Sequence, residues 1–187
     1  MGPQNSFYSK KIEVKNGNRF VSITPSDKLS INITIDYPKT IIGYSQYSYI
    51  HSQENFIKNL SMARTYTLFE DIEKMRTAGL AIGGNLNNAV VVDKFKILNP
   101  EGLRFEKEFV KHKTLDCIGD FYLLGMPLLG TVNCFAPGHS LNHLLLKEIL
   151  KDKKNFRLED KSSAKKSDNF FDLVEENSSP ENLIYVA

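Results

Sequence analysis

HKTLDCIGD, residues 112–120, places His112, Asp116 and Asp120 at every fourth position of a segment that also holds Phe109, Val110, Leu115, Ile118, Phe121 and Tyr122. Apolar residues at this spacing belong to a buried helix, and the pattern predicts one over 105–124. A carboxylate moved into an apolar interior costs several kcal/mol unless it is paired, protonated or bound to a metal. The three ionisable groups therefore need partners. Positions i, i+4 and i+8 of a helix lie on nearly one face, so His112 and Asp116 can present a nitrogen and an oxygen to one point, half of a possible zinc site. Alone the spacing is a weak signal, because such a pair is more often on the surface. The apolar flanks and the second carboxylate, Asp120, argue against a solvated pair.

Upstream, Ile12–Val14 and Phe20–Ile23 flank Asn16-Gly17 and read as a hairpin with its turn at that pair. Leu29, Ile31, Ile33 and Ile35 alternate with polar residues, the period of a half-buried strand, and Tyr44, Tyr47 and Tyr49 continue the β-favouring composition. A short strand or turn near Ala63–Tyr66 leads into a helix expected over 68–78 and stopped by Gly79. Two short apolar segments around Gly83-Gly84, with a turn at Asn99-Pro100, suggest a strand, loop, strand unit. Downstream of the long helix, a strand is expected over 127–134 and an amphipathic helix over 140–151. These elements give an α+β fold with a mostly antiparallel sheet and two main helices.

The 187 residues, 41% apolar and 25% charged, suit a soluble globular domain with a tail. A formal net charge of +2, from 24 basic and 22 acidic residues interspersed along the chain, leaves no electrostatic footprint for nucleic acid. Cys117 and Cys134 form neither a disulfide framework nor a CxxC, which fits a reducing, cytoplasmic setting. The longest apolar run, IGDFYLLGMPLLGTV, is short of the roughly 20 residues a membrane span needs and is broken by Asp120, Gly125 and Pro127, so no transmembrane segment is expected. MGPQNS, residues 1–6, resembles a cloning or cleavage scar, and the body is taken as 7–160. From 161 to 187 the composition turns to Ser, Lys, Asp, Asn and Glu, and a disordered tail is expected.

His139 lies in PGHSLNH, where Gly138 allows a close backbone approach. It reads either as a loop histidine or helix-cap partner, or as an acid or electrostatic group held in one tautomer by a carboxylate, with Asp120 the spare carboxylate. His51 and His143 have no such context and read as structural or exposed. Thr65, in ARTYTLFEDIE, has many ordinary roles open to it.

The stretch ARTYTLFEDIEKMRTAGLAIGGNLNNAVVVDKFKILNPEGLRFEKEFVKHKTLDCIGDFYLLGMPLLG, followed by GHSLN, closely resembles the C-terminal lobe of the UDP-3-O-acyl-N-acetylglucosamine deacetylases (LpxC), zinc amidases of lipid A synthesis. The resemblance covers roughly residues 10–158. It implies a two-layer sandwich with a small βαβ insert, here about 67–98. His112 and Asp116 match zinc ligands, and Lys113 matches a lysine lining the active site. Asp120 matches the aspartate that orients and charges the catalytic histidine, His139. Thr65 matches a threonine whose hydroxyl lies beside the zinc, and Tyr66 stands where phenylalanine is usual. The insert forms a passage for the fatty acyl chain, which Ile72, Met75, Ala81, Gly84, Leu86, Ala89 and Val91 would line, although each would serve equally as core. Asp71 matches an aspartate near the substrate sugar or nucleotide. Ala136 stands in place of a lysine that contacts the diphosphate.

In that family the third zinc ligand and the glutamate base come from a Glu-His pair on an N-terminal lobe, and no Glu-His dipeptide occurs here. The resemblance thus implies an isolated C-terminal lobe, either truncated or one half of a split enzyme, inactive by itself and partnered by the missing lobe. The charges of HKTLDCIGD are then expected to be incompletely satisfied. A competing reading is a non-catalytic acyl-binding or regulatory domain, which the retention of His112, Asp116, Asp120, His139 and Thr65 disfavours.

Overall fold

A computed structural model of the chain describes residues 10–160 and 182–186. The scar-like opening lies outside the described residues, as do 161–181 of the expected tail. The strands are β1 (Ile12–Asn16), β2 (Arg19–Thr24), β3 (Leu29–Tyr37), β4 (Gly43–Ile50), β5 (Thr65–Leu68), β6 (Ala89–Asp93), β7 (Lys96–Ile97), β8 (Leu128–Phe135), β9 (Phe156–Asp160) and β10 (Asn182–Val186). The helices are α1 (Gln53–Asn59), α2 (Ile72–Thr77), α3 (Glu108–Phe121) and α4 (His139–Leu150).

β8 is the trunk of the main sheet. It pairs antiparallel with β2, Val21 opposite Cys134, and parallel with β3, Ile33 opposite Cys134. β1 and β4 extend the sheet by antiparallel pairing to β2 and β3. Alternation along β3 and β8 turns Ile31, Ile33, Ile35, Val132 and Cys134 inward. That face is covered by α3, packed on β3 and β4, and by α4, packed on β1 and β2. Cys117, Ile118, Phe121, Leu145 and Ile149 fill the space between the layers. Each fully buried aliphatic side chain contributes about 1.5–3 kcal/mol. The result is the expected α+β sandwich.

The insert is a βαβ unit. β5 runs parallel to β6, with α2 between them, and β7 closes a three-stranded sheet. Buried Asn99 braces it: Oδ1 accepts from Val91 N at 2.9 Å, and Nδ2 donates to Leu86 O at 2.7 Å and Ala89 O at 2.8 Å.

A buried ion pair joins the insert to α3. Arg64 Nε donates to Glu108 Oε1 at 2.9 Å and Nη2 to Oε2 at 3.1 Å, with both side chains almost wholly buried. Glu108 also accepts from the backbone N–H of Arg64 at 3.0 Å and of Arg104 at 2.7 Å. Arg64 further bonds Gly102 O at 2.7 Å and pairs with Glu101. Burial pushes the Glu108 carboxyl up, but these donors outweigh it and hold the group below its ordinary range.

Several local expectations change. The β1–β2 turn centres on Gly17-Asn18, since Asn16 pairs with Arg19; Gly17, at φ 61°, takes the first central position of a II′-like turn. Of the helix expected over 68–78, α-helical geometry is confined to Ile72–Thr77: Leu68 pairs with Val92 in the small sheet, and Phe69–Asp71 form a 3-10 turn. Residues 80–82 form no strand: the chain turns at 78–79 and again at 82–83, with Ala81 at φ 55° between them. Helix α1 was not anticipated; Ser52 caps it by accepting from Asn55 N at 3.1 Å. Finally, Asn182–Val186 is a strand, where disorder was expected over 161–187. Its β-favouring Leu-Ile-Tyr-Val run finds the open start of β8, Ile184 opposite Leu128, and also pairs with β9.

Replacing Glu108 with Gln leaves the buried guanidinium short of compensating charge, and stability is expected to fall by about 3–5 kcal/mol in a urea titration. Because the Glu108 carboxyl is depressed, its contribution is complete above the unfolded-state value and is lost as pH falls through the folded-state value, so the acid limb of the stability profile should flatten in the Gln variant. Gly130→Ala would put a Cβ 2.7 Å from Ile23 Cδ1 and 3.1 Å from Thr24 O. A loss of about 1–3 kcal/mol is expected, read as a lower melting temperature.

Candidate metal half-site and histidine relay

The first half of α3 carries the possible metal ligands. His112 Nε2 and Asp116 Oδ1 lie 3.1 Å apart, with 14% and 13% of their side chains exposed. His112 Nδ1 lies 3.0 Å from the Ala63 carbonyl. A carbonyl only accepts, so Nδ1 carries hydrogen; Nε2 needs one too in order to bond the Asp116 carboxylate, a hydrogen that a bound metal would displace. Lys113 Nζ donates to Asp116 Oδ2 at 2.8 Å and sits 5.7 Å from the centre of the Tyr66 ring. Burial raises the Asp116 carboxyl, but the His112 hydrogen bond and the charge of Lys113 override it and hold the group at about 2. The expectation of incompletely satisfied charges is corrected here: the pair is closed by His112, Lys113 and Asp116 themselves, and no buried side-chain polar atom lacks a partner among the described residues.

Asp120 faces elsewhere. Each four-residue step advances a helix by about 40°, so after two steps Asp120 has turned toward α4. His139 Nδ1 stands 3.0 Å from both of its carboxylate oxygens. Buried Asn142 donates to Oδ2 at 2.7 Å, and His143 Nε2 lies 3.1 Å from Oδ1. His139 is delivered by the turn after β8, where Ala136 takes φ 45° and its carbonyl accepts from Arg19 Nε at 2.8 Å. A Cβ at Gly138 would stand 2.9 Å from Arg19 Nη2, so the close approach anticipated at this glycine is made by a guanidinium. Asn142 was not singled out from the sequence, and His143, expected to be structural or exposed, is here a partner of Asp120. The signal was present, since residues 139, 142 and 143 share one face of an amphipathic helix. His51, by contrast, has a structural partner: its Nδ1 lies 3.2 Å from the Tyr49 hydroxyl.

Thr65 opens β5 and is exposed, directly after Arg64 and two residues from the carbonyl that holds His112. Tyr66 packs edge-on against Phe109 at 5.0 Å, and its hydroxyl donates to Tyr37 at 3.3 Å. Burial pushes its phenol well above the ordinary range. A cleft of about 430 Å³ opens beside it, lined by Tyr37, Tyr66, Leu68, Asp71, Met75 and Leu80 among others. Tyr66, Asp71 and Met75 are thus brought together. Ile72, Ala81, Gly84, Leu86, Ala89 and Val91 are not part of this lining: Ala81, Gly84 and Leu86 are exposed in the loop before β6, and Ala89 and Val91 are buried within β6.

The donor chemistry of His112 and Asp116, one nitrogen and one oxygen on adjacent turns with the other imidazole nitrogen held by a carbonyl, fits two positions of a zinc site. Among the described residues no cluster of three or more His, Cys, Asp or Glu side chains is gathered to hold a metal, so the fit is to a half-site.

Residues 3–151 match the family model for LpxC, UDP-3-O-acyl N-acetylglycosamine deacetylase. A UDP-3-O-acyl-N-acetylglucosamine deacetylase of Campylobacter fetus is 47% identical over 149 residues, covering 80% of this chain and 51% of that protein. Proteins of the same name from Campylobacter lari and a Nitratiruptor species are 49% and 44% identical, over 76% and 82% of this chain. The chain spans about half the length of the curated relatives it matches. With the family model matched over most of its length and relatives of that name 44–49% identical, the chain belongs to the LpxC family of UDP-3-O-acyl-N-acetylglucosamine deacetylases.

Proposed function

We propose that this chain is the C-terminal lobe of a zinc-dependent amidohydrolase that removes the N-acetyl group of UDP-3-O-acyl-N-acetylglucosamine in cytoplasmic lipid A synthesis, and that it needs an N-terminal lobe to act. One observation carries the reading: a single helix, α3, presents a metal half-site at His112 and Asp116 and, about a turn further on, the carboxylate that holds His139. Zinc bound at the completed site would supply Lewis acidity toward the amide carbonyl and toward water.

The chain's own residues take the remaining roles. Lys113 occupies the second oxygen of Asp116 and fixes the carboxylate's orientation. His139, holding its Nδ1 hydrogen on Asp120, offers Nε2 to the substrate; as an imidazolium paired with that carboxylate it can stabilise an oxyanion or hand a proton to the leaving amine. Thr65 would place its hydroxyl beside the reacting carbonyl. The cleft at Tyr66 and Met75 supports binding of the acyl chain, with Asp71 toward the sugar or nucleotide. Ile72, Ala81, Gly84, Leu86, Ala89 and Val91 would serve that passage indirectly, by shaping the insert. No helix of the described residues is long and apolar enough to cross a membrane.

The chain alone should show no turnover, whereas mixing with the separately produced N-terminal half of the Campylobacter fetus relative should restore both zinc content and deacetylation. Turnover by the chain alone would overturn the need for a partner lobe, and zinc-independent acyl binding with no turnover after mixing would favour the non-catalytic reading. In the mixed enzyme, Lys113→Met is expected to weaken zinc affinity about 10–100-fold, measured by chelator competition.

A further inference from the structure

Asp120 is shared by two imidazoles, and only one of them has a role in the reading above. An ionised carboxylate accepts hydrogen bonds and donates none, with about four lone-pair positions on its two oxygens. Its neighbours are His139 Nδ1 at 3.0 Å from both oxygens, His143 Nε2 at 3.1 Å from Oδ1 and Asn142 Nδ2 at 2.7 Å from Oδ2. Each nitrogen facing the carboxylate must therefore carry hydrogen; a bare ring nitrogen there would set lone pair against lone pair. The two histidines are consequently fixed in opposite tautomers, His139 with hydrogen on Nδ1 and His143 with hydrogen on Nε2. Their rings lie 6.4 Å apart, one turn of α4 separating them, and both reach Asp120. Asn142 is itself braced against buried Cys117, with Nδ2 3.6 Å from Sγ.

We propose that His143 is a positioning residue for His139. Resting on the reading of His139 as the catalytic histidine, the inference is that the Nε2–H of His143 and the amide of Asn142 clamp one oxygen each of Asp120. The carboxylate cannot then rotate, and its remaining capacity is aimed at Nδ1 of His139. That keeps Nε2 of His139 free toward the substrate. His143 is 44% exposed and Asp120 only 10%, so the clamp closes the solvent side of a carboxylate whose other side faces the core.

Long-range proton–nitrogen correlation spectra of the histidine-labelled chain, at a pH above the ordinary imidazole range, test this. Wild type should show His139 as the Nδ1–H form and His143 as the Nε2–H form. In His143→Leu the Nε2–H form of His139 should rise about three- to tenfold, the loss expected for one hydrogen bond. His143→Gln, which keeps an N–H at that point of the helix, should return it to the wild-type value. Finding His143 as the Nδ1–H form, an unchanged His139 in the Leu variant, or a Gln variant that behaves like Leu would each overturn the proposal. Should the Leu variant not fold, the wild-type tautomers and the Gln variant carry the test. Turnover does not enter the readout, so a failed deacetylase assay and a failed clamp remain distinguishable.

Discussion

Burying Arg64 and Glu108 removes two full charges from water, and the penalty is offset only because nearly every polar atom of the pair finds a partner. Such a pair is weak evidence for stability but strong evidence for registration, since a shifted geometry would strand a charge. What it registers is the site. Ala63 and Thr65 flank Arg64 in the chain, so the pair that seats Arg64 on the first turn of α3 also sets the carbonyl that orients His112 and the place of the Thr65 hydroxyl. Small backbone movement at the start of β5 would be felt first in the direction of an imidazole.

Helix α3 divides its labour by rotation. With about 40° of drift per four residues, three ionisable positions that look alike in sequence acquire two environments. The first two close on each other and on Lys113 beside the insert, while the third looks across to α4. One rigid element thereby fixes the separation between the His112–Asp116 pair and the carboxylate behind His139, a distance that two loops would hold less well.

Much of this was legible in the residues. The alternation in β3, the hairpin and the apolar face of α3 follow from periodicity, and the pairings of His112 with Asp116 and of His139 with Asp120 that the residues suggested are contacts in the structure. The failures share a cause. A two-residue loop is decided by cross-strand register, which moved the turn to Gly17-Asn18. The helix at 68–78 starts late because Leu68 pairs with β6, a partner more than twenty residues away, and Phe69–Asp71 tighten into a 3-10 turn. β10 was hidden because a composition window dominated by Ser, Lys and Asn masks a short apolar end whose partner is distant in the chain. His143 was overlooked for a related reason: its significance lies in a carboxylate on another helix, and nothing local to α4 announces it.

β8 stands between β2 and β3 and hands the chain directly to the turn that carries His139. Strand register is quantised: a slip by one residue reverses every side chain's face and moves the strand's end by about 3.3 Å. Gly130 sits where β8 passes close to Ile23, with no room for a shifted neighbour's Cβ. The position of His139 at the start of α4 is therefore set by an indexing mechanism in the sheet with discrete stops, and variation in the surrounding loops can proceed without retuning it.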